Sequence, residues 1–183
     1  MKLWKVFVIP VLLLGLWGCK QPKVTPEQIA EHYTERPFSA EYTVTTHSGF
    51  YTEYRLVCTR QDGVSTVTIL QPESVAGISA VLQGNSAQLQ YEELSLDALL
   101  PEVPGYAPMD MLQQLLIDLQ NPPEFSGGEQ GHLTLEYRST ESDGTELLKL
   151  VMLDETTLDV QCAECYLDGS LILSLKMEAI QWR

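Results

Sequence analysis

"SLDALLPEVPGYAPMDMLQQLLIDLQN", residues Ser95 to Asn121, is the stretch on which the fold turns, because the chain around it alternates and this stretch does not. Leu112, Leu115, Leu116 and Leu119 recur at helical spacing and form the apolar stripe of an amphipathic helix. Pro108 suits the first turn of that helix, and Asn121-Pro122-Pro123 stops it. The residues ahead of it read as a short helical turn followed by a proline-rich elbow.

On either side the pattern has period two. Phe38, Ala40, Tyr42 and Val44 share one face, with Ser39, Glu41, Thr43 and Thr45 on the other. Tyr54, Leu56 and Cys58 alternate with Arg55, Val57 and Thr59, and Gln61-Asp62-Gly63 makes a turn before the strand at 64–69. Further strands are predicted at 77–82, 87–91, 132–138, 146–153, 158–166 and 170–182, with turns at Gly84-Asn85, Asp143-Gly144 and Asp168-Gly169. Many short strands with tight turns point to a large antiparallel sheet. A leucine helix set into such a sheet buries its stripe against the concave face. The predicted class is therefore α+β: a curved antiparallel sheet, an incomplete barrel, with an N-terminal helix and a central helical lid.

The N-terminal helix announces itself at Thr25-Pro26-Glu27-Gln28. Thr25 caps, Pro26 takes the first helical position, Glu27 complements the positive helix end and Gln28 completes a capping box. The helix is predicted to run to about Glu35, ahead of Pro37.

Before it, Lys2 and Lys5 precede an apolar run from Val6 to Gly18 that contains Pro10 and Gly15. A spanning helix needs about 20 apolar residues, so this run is short for a span and fits a secretory signal. Leu16-Trp17-Gly18-Cys19 resembles the bacterial lipobox, although that pattern prefers a small residue where Trp17 stands. The resemblance implies that residues 1–18 are a lipoprotein signal peptide and that Cys19 carries a diacylglycerol thioether as the first mature residue. It further implies a tether at 19–24, a single domain at 25–183 and a place on the extracytoplasmic side of the cell envelope, held to a membrane through Cys19. An ordinary signal peptide or an uncleaved anchor, with Cys19 a bystander, is the alternative. Lys20 after the cysteine permits outer-membrane delivery in a two-membrane cell; in a one-membrane cell the anchor sits on the outer face of the plasma membrane.

The full chain carries a net charge of −14, and without residues 1–18 nine basic residues face 25 acidic ones, a balance of −16. That acidity argues against a nucleic-acid partner and against electrostatic adhesion to anionic lipid.

Two longer patterns carry a family resemblance. "QPESVAGISAVLQGNSAQLQYEE" presents Pro72, Val75, Gly77, Ile78, Leu82, Gly84, Leu89 and Tyr91, and the closing segment from Asp154 to Trp182 presents Tyr166, Asp168 and Gly169 before a hydrophobic strand. With the N-terminal helix and central insertion, this order resembles the periplasmic lipoprotein carrier and receptor superfamily (LolA/LolB-like, LppX-like) over nearly the whole mature chain. The resemblance implies a cavity between sheet and helix for an acyl chain, a lipid or a lipidated ligand, with Leu112, Leu115, Leu116 and Leu119 facing it. The carrier's lipid-contacting arginine has no matching position, so lipoprotein shuttling is not carried over.

Candidate chemistry is sparse. Cys162-x-x-Cys165 fits a structural disulfide in an exported domain, in competition with either cysteine pairing to Cys58. Redox work would need the pair at a helix start, and here the flanks read as strand. His32, His47 and His132 show no metal-ligand spacing, and no serine stands in a nucleophile elbow. Glu92-Glu93 and Asp154-Glu155 sit beside turns as solvated acids. Neither a catalytic set nor a cofactor or metal is expected. The leading reading is an anchored protein holding an acyl ligand; the rival is an envelope interaction or sensor protein of the same fold, and a CxxC redox protein comes last.

Overall fold

The alternation becomes one antiparallel sheet. The computed structural model describes residues 24–34, 36–83, 86–98, 105–141 and 143–183. The strands are β1 (Phe38–Thr46), β2 (Thr52–Gln61), β3 (Val64–Gln71), β4 (Ser79–Gln83), β5 (Ser86–Tyr91), β6 (Leu94–Ala98), β7 (Phe125–Glu129), β8 (His132–Thr140), β9 (Glu146–Asp154), β10 (Val160–Leu167) and β11 (Ser170–Trp182). Their order across the sheet is β6-β5-β4-β3-β2-β1-β11-β10-β9-β8-β7. Sequential strands lie side by side, and the long-range closure of β1 on β11 places the first and last strands at the centre. The sheet is curved and unclosed, with β6 and β7 as its edges.

Turn chemistry sets the register. Asp62 and Gly63 between β2 and β3, and Asp168 and Gly169 between β10 and β11, all have positive φ. Two-residue loops of that conformation match the twist of the flanking strands. Strand β1 buries Phe38, Ala40, Tyr42 and Val44, as its alternation predicts. The pattern is carried into β2 by the pairs Ala40↔Cys58 and Tyr42↔Leu56.

Helix α1 (Pro26–Tyr33) is held by the expected capping box: the Thr25 N–H donates to Gln28 Oε1 at 2.9 Å and the Gln28 N–H to Thr25 Oγ1 at 3.4 Å. It ends two residues short of the predicted limit, which lies outside the described residues. Tyr33 explains where it packs. Its hydroxyl donates to the Leu158 carbonyl, and its ring meets Trp182 edge-on at 5.6 Å. Trp182, packed also on Phe38, donates from Nε1 to Asp159 Oδ1 at 2.7 Å, so α1 is fastened to the ends of β1 and β11.

Helix α2 (Met111–Asp118) starts later than Pro108 suggests. The N-cap residue Asp110 turns its side chain backward: Oδ2 accepts from the Gly105 N–H at 2.9 Å and Oδ1 from the Ala107 N–H at 3.0 Å. Pro108 thus belongs to an elbow that Asp110 ties down, and the helix begins once that elbow is closed. An eight-residue helix is too short to persist alone, so packing holds it. Two further differences concern the edges. Ser95–Ala98, read as part of a short helical turn, instead belongs to strand β6 (Leu94–Ala98), and Phe125–Glu129, assigned to no element, is β7.

Candidate functional site

One row of side chains crosses the inner face of the sheet. Reading through paired residues, it runs Leu96–Leu89–Ala80–Val67–Cys58–Ala40. Directly opposed residues of an antiparallel pair project to the same face, so all six look inward. From Ala80 to Ala40 the row is at most 2% exposed, whereas Leu89 is half-buried and Leu96 is 67% exposed. Leu94, on the same face of β6 and paired with Tyr91, is 74% exposed. The inner face is therefore closed over its middle and open at the β5–β6 end.

Leu112, Leu115, Leu116 and Leu119 are buried to 2% exposure or less, in one cluster with Tyr42, Leu56, Val67, Leu82, Leu133 and Leu135. The four predicted residues are thus brought together in the core, three on α2 and Leu119 at its C-cap. Polar groups buried in this closed region include those of Tyr42, Asp110 and Ser65. Tyr42 Oη is buried without a hydrogen-bond partner, and burial pushes its pKa well up. Asp110 is also raised by burial, opposed by its hydrogen bonds from Gly105 and Ala107.

The end of α2 is bound to the sheet by charge. Lys149, on β9, donates from Nζ to Asp118 Oδ2 at 2.7 Å, and Gln114 Nε2 donates to Asp118 Oδ1 at 3.0 Å. The ammonium also lies 5.6 Å over the Tyr106 ring, whose hydroxyl donates to the Tyr166 carbonyl. Little water reaches the ion pair, with Lys149 13% and Asp118 17% exposed.

The expected disulfide is absent. Cys58, Cys162 and Cys165 are free thiols. The reason is strand geometry: three residues along a strand span about 10 Å, beyond the roughly 7 Å that a disulfide bridges. Cys165 faces the core while Cys162 is half-buried on the outer face. Cys58 lies on β2, separated from β10 by β1 and β11. Burial pushes the Cys58 and Cys165 thiols up to about 12, and burial together with Glu164 raises Cys162. Thiols held protonated in this way are poor nucleophiles and poor metal ligands.

The histidines stay apart. His32, on α1, lies 3.8 Å from Asp159, and its pKa is lowered by burial and then by Arg36. His47 is exposed beside Ser174, and His132 opens β8. Among the described residues no three His, Cys, Asp or Glu side chains converge as a metal site. Cys19, the signal segment 1–18, most of the tether 19–24 and the Gly84-Asn85 turn lie outside the described residues.

Leu94 and Leu96 were not singled out by the sequence. Their signal is the alternation Leu94-Ser95-Leu96-Asp97, which the helical reading of the following residues absorbed.

No protein-family model matches the chain, and no curated protein matches it in sequence. Among solved structures it is similar to an uncharacterized conserved protein from Thermus thermophilus, at 12% identity and a TM-score of 0.52, over 86% of this chain and 85% of that one. It is also similar to a LolA superfamily protein from Nitrosomonas europaea, at 12% identity and a TM-score of 0.47, over 87% of this chain and 94% of that one. The Mycobacterium tuberculosis lipoprotein LppX is similar at 13% identity and a TM-score of 0.45, over 86% and 92%. At such identities the likeness is one of fold alone, the curled antiparallel sheet with a helix that the sequence resemblance implies.

Proposed function

We propose that the protein is an envelope lipoprotein, anchored through Cys19, whose domain at 25–183 binds an acyl chain or acyl-bearing ligand on the inner face of its sheet. The observation that carries this reading is the uncovered end of the inner face. There Leu89, Tyr91, Leu94 and Leu96 continue, without a break in register, the apolar surface that α2 buries farther in. An apolar ligand laid along them gains about 0.8 kcal/mol for each methylene removed from water, with no catalytic group required. Leu112, Leu115, Leu116 and Leu119 form the inner wall of this path, and a ligand longer than the open end reaches them only if α2 lifts. The helix is then a lid, and its fastening at Asp110 and Asp118 sets the cost of opening.

A fluorescent fatty-acid titration of wild type and a Leu94→Ser/Leu96→Ser double variant tests this. Saturable uptake by wild type, weakened about tenfold or more in the variant, is the expected result; each factor of ten corresponds to about 1.4 kcal/mol. Uptake equal in both proteins, or no uptake by wild type, rejects the reading.

A further inference from the structure

The outer face of the sheet differs between its two halves. Toward β6 it is largely polar, with the outward pairs Thr43↔Arg55, Thr59↔Thr66 and Thr68↔Ser79. At β9 it is not. "ELLKLVMLD" (Glu146–Asp154) buries Leu147, Val151 and Leu153 inward, yet also sends Leu148, Leu150 and Met152 outward. An antiparallel strand with water on one face alternates; a near-continuous apolar run marks a strand covered on both. Cys162 and Tyr166 extend the patch onto β10, opposite Met152 and Leu148. All five side chains are half-buried and none packs on the core cluster, to which both α1 and α2 contribute. A recess of about 160 Å³ opens among Leu150, Met152 and Cys162.

The charges around the patch say what fits it. Two cross-strand rows run through it, Glu136–Leu150–Glu164 and Arg138–Leu148–Tyr166. Rows two residues apart along a strand lie about 7 Å from each other. A twofold axis lying across the strands, midway between these rows, sets each row on the other row of a second copy. Glu136 of each copy then faces Arg138 of the other, Leu150 faces Leu148, and Glu164 faces Tyr166. That reciprocity is what an isologous contact requires. An axis along β9 would instead set Glu136 on Glu164, like charge on like, so the pattern selects one orientation. Glu136 and Arg138 already pair within the chain through Nε, with Arg138 52% exposed. Stacking brings two such pairs together as a ring of four alternating charges.

We propose that the outer face of β8, β9 and β10 docks a second copy of this chain in that orientation. A patch three or four strands wide, at about 4.8 Å per strand, is small beside the roughly 800 Å² per partner of a standard interface. The net charge of −14 also sets the copies against each other. The dimer is therefore a weak one, formed and lost with concentration. It uses the face of the sheet opposite to the acyl path and does not depend on that reading.

Sedimentation equilibrium of the full chain, in mild detergent at fixed salt, tests the proposal. Wild type should show a concentration-dependent monomer–dimer equilibrium. Glu136→Arg sets arginine against arginine across the axis, and Arg138→Glu sets glutamate against glutamate. Each variant alone should dimerise about tenfold more weakly or worse, because like charges juxtaposed at an interface are strongly penalised. Mixed with each other, the two variants meet as opposite charges at both places, and the mixture should associate within about threefold of wild type. Loss of the internal Glu136–Arg138 pair cannot produce recovery on mixing, and unfolding midpoints close to that of wild type show that both variants fold. A wild type that stays monomeric at every concentration overturns the proposal and leaves the face to an unlike partner. Variants that dimerise as wild type does also overturn it, which is the outcome if association runs through the apolar segment at 6–18. So does a mixture no tighter than its components.

Discussion

The middle and the β6 end of the inner face are built from the same material and end in opposite states. Val67 and Leu96 belong to one row, related by successive cross-strand pairs, yet Val67 is wholly buried and Leu96 stands in water. Side-chain identity does not separate them, since both are apolar. What separates them is the cover. Helix α2 sets its three leucines and the C-cap Leu119 into the buried cluster at the middle, and a helix of eight residues is too short to cover the whole sheet. The closed region carries the stability of the fold, while the open end is apolar surface kept at a cost and is where function is to be sought.

The largest effect expected from this contrast lies at the closed region. Leu116 is 2% exposed in the shared cluster, and Leu116→Ala should destabilise by about 2–5 kcal/mol, as large-to-small core changes do. Urea unfolding with an unchanged m-value measures it. A loss well below that range means that α2 covers a void and not a packed core, and the contrast would be redrawn as two openings.

The fastening of α2 gives the next effect. Lys149→Met leaves Asp118 with the Gln114 bond but without its cation, in a place of low water access. Losing one partner of a wholly buried pair costs about 3–5 kcal/mol; for this partly wetted one roughly 2–3 kcal/mol is expected. The same urea experiment reads it, and an Asp118→Asn/Lys149→Met double variant should recover part of the loss. If the single variant is as stable as wild type, charge does not hold the helix end, and α2 is retained by its leucines alone.

These elements were unequally legible in the sequence. The inner strands were plain because a buried face forces strict alternation: Phe38, Ala40, Tyr42 and Val44 could hardly be read otherwise. The capping box of α1 was equally plain, since Thr25 and Gln28 act over three residues. Both edges were missed, for a shared physical reason. An edge strand is paired on one side only, so it is short and its composition is weakly constrained. Phe125–Glu129 contains Gly127 and Gly128, and Leu94–Ala98 runs into Leu99 and Leu100, whose spacing suits a helix as well as a strand. The disulfide expectation failed on the same kind of point. A spacing of three residues brings two cysteines together on a helix and parts them on a strand, and β10 is a strand. The fastening of α2 was illegible altogether, because Asp118 and Lys149 meet only through the tertiary fold.

The smallest expected effect is at the open end, and its smallness is the point. Leu96 is 67% exposed on an edge strand, so Leu96→Ser removes little area that folding had taken from water. Surface changes of this kind stay within about 0.5 kcal/mol, several-fold below the loss expected at Leu116. Backbone pairing of β6 with β5 is untouched, because Ser95 and Asp97 already show that polar residues fit this strand. Urea unfolding of the delipidated chain should therefore scarcely distinguish Leu96→Ser from wild type. Should the variant instead lose as much stability as Leu116→Ala, Leu96 is covered in solution and the contrast between the two regions collapses. A neutral result together with weakened fatty-acid uptake would sharpen it, because an apolar side chain that contributes nothing to folding and much to binding belongs to the ligand.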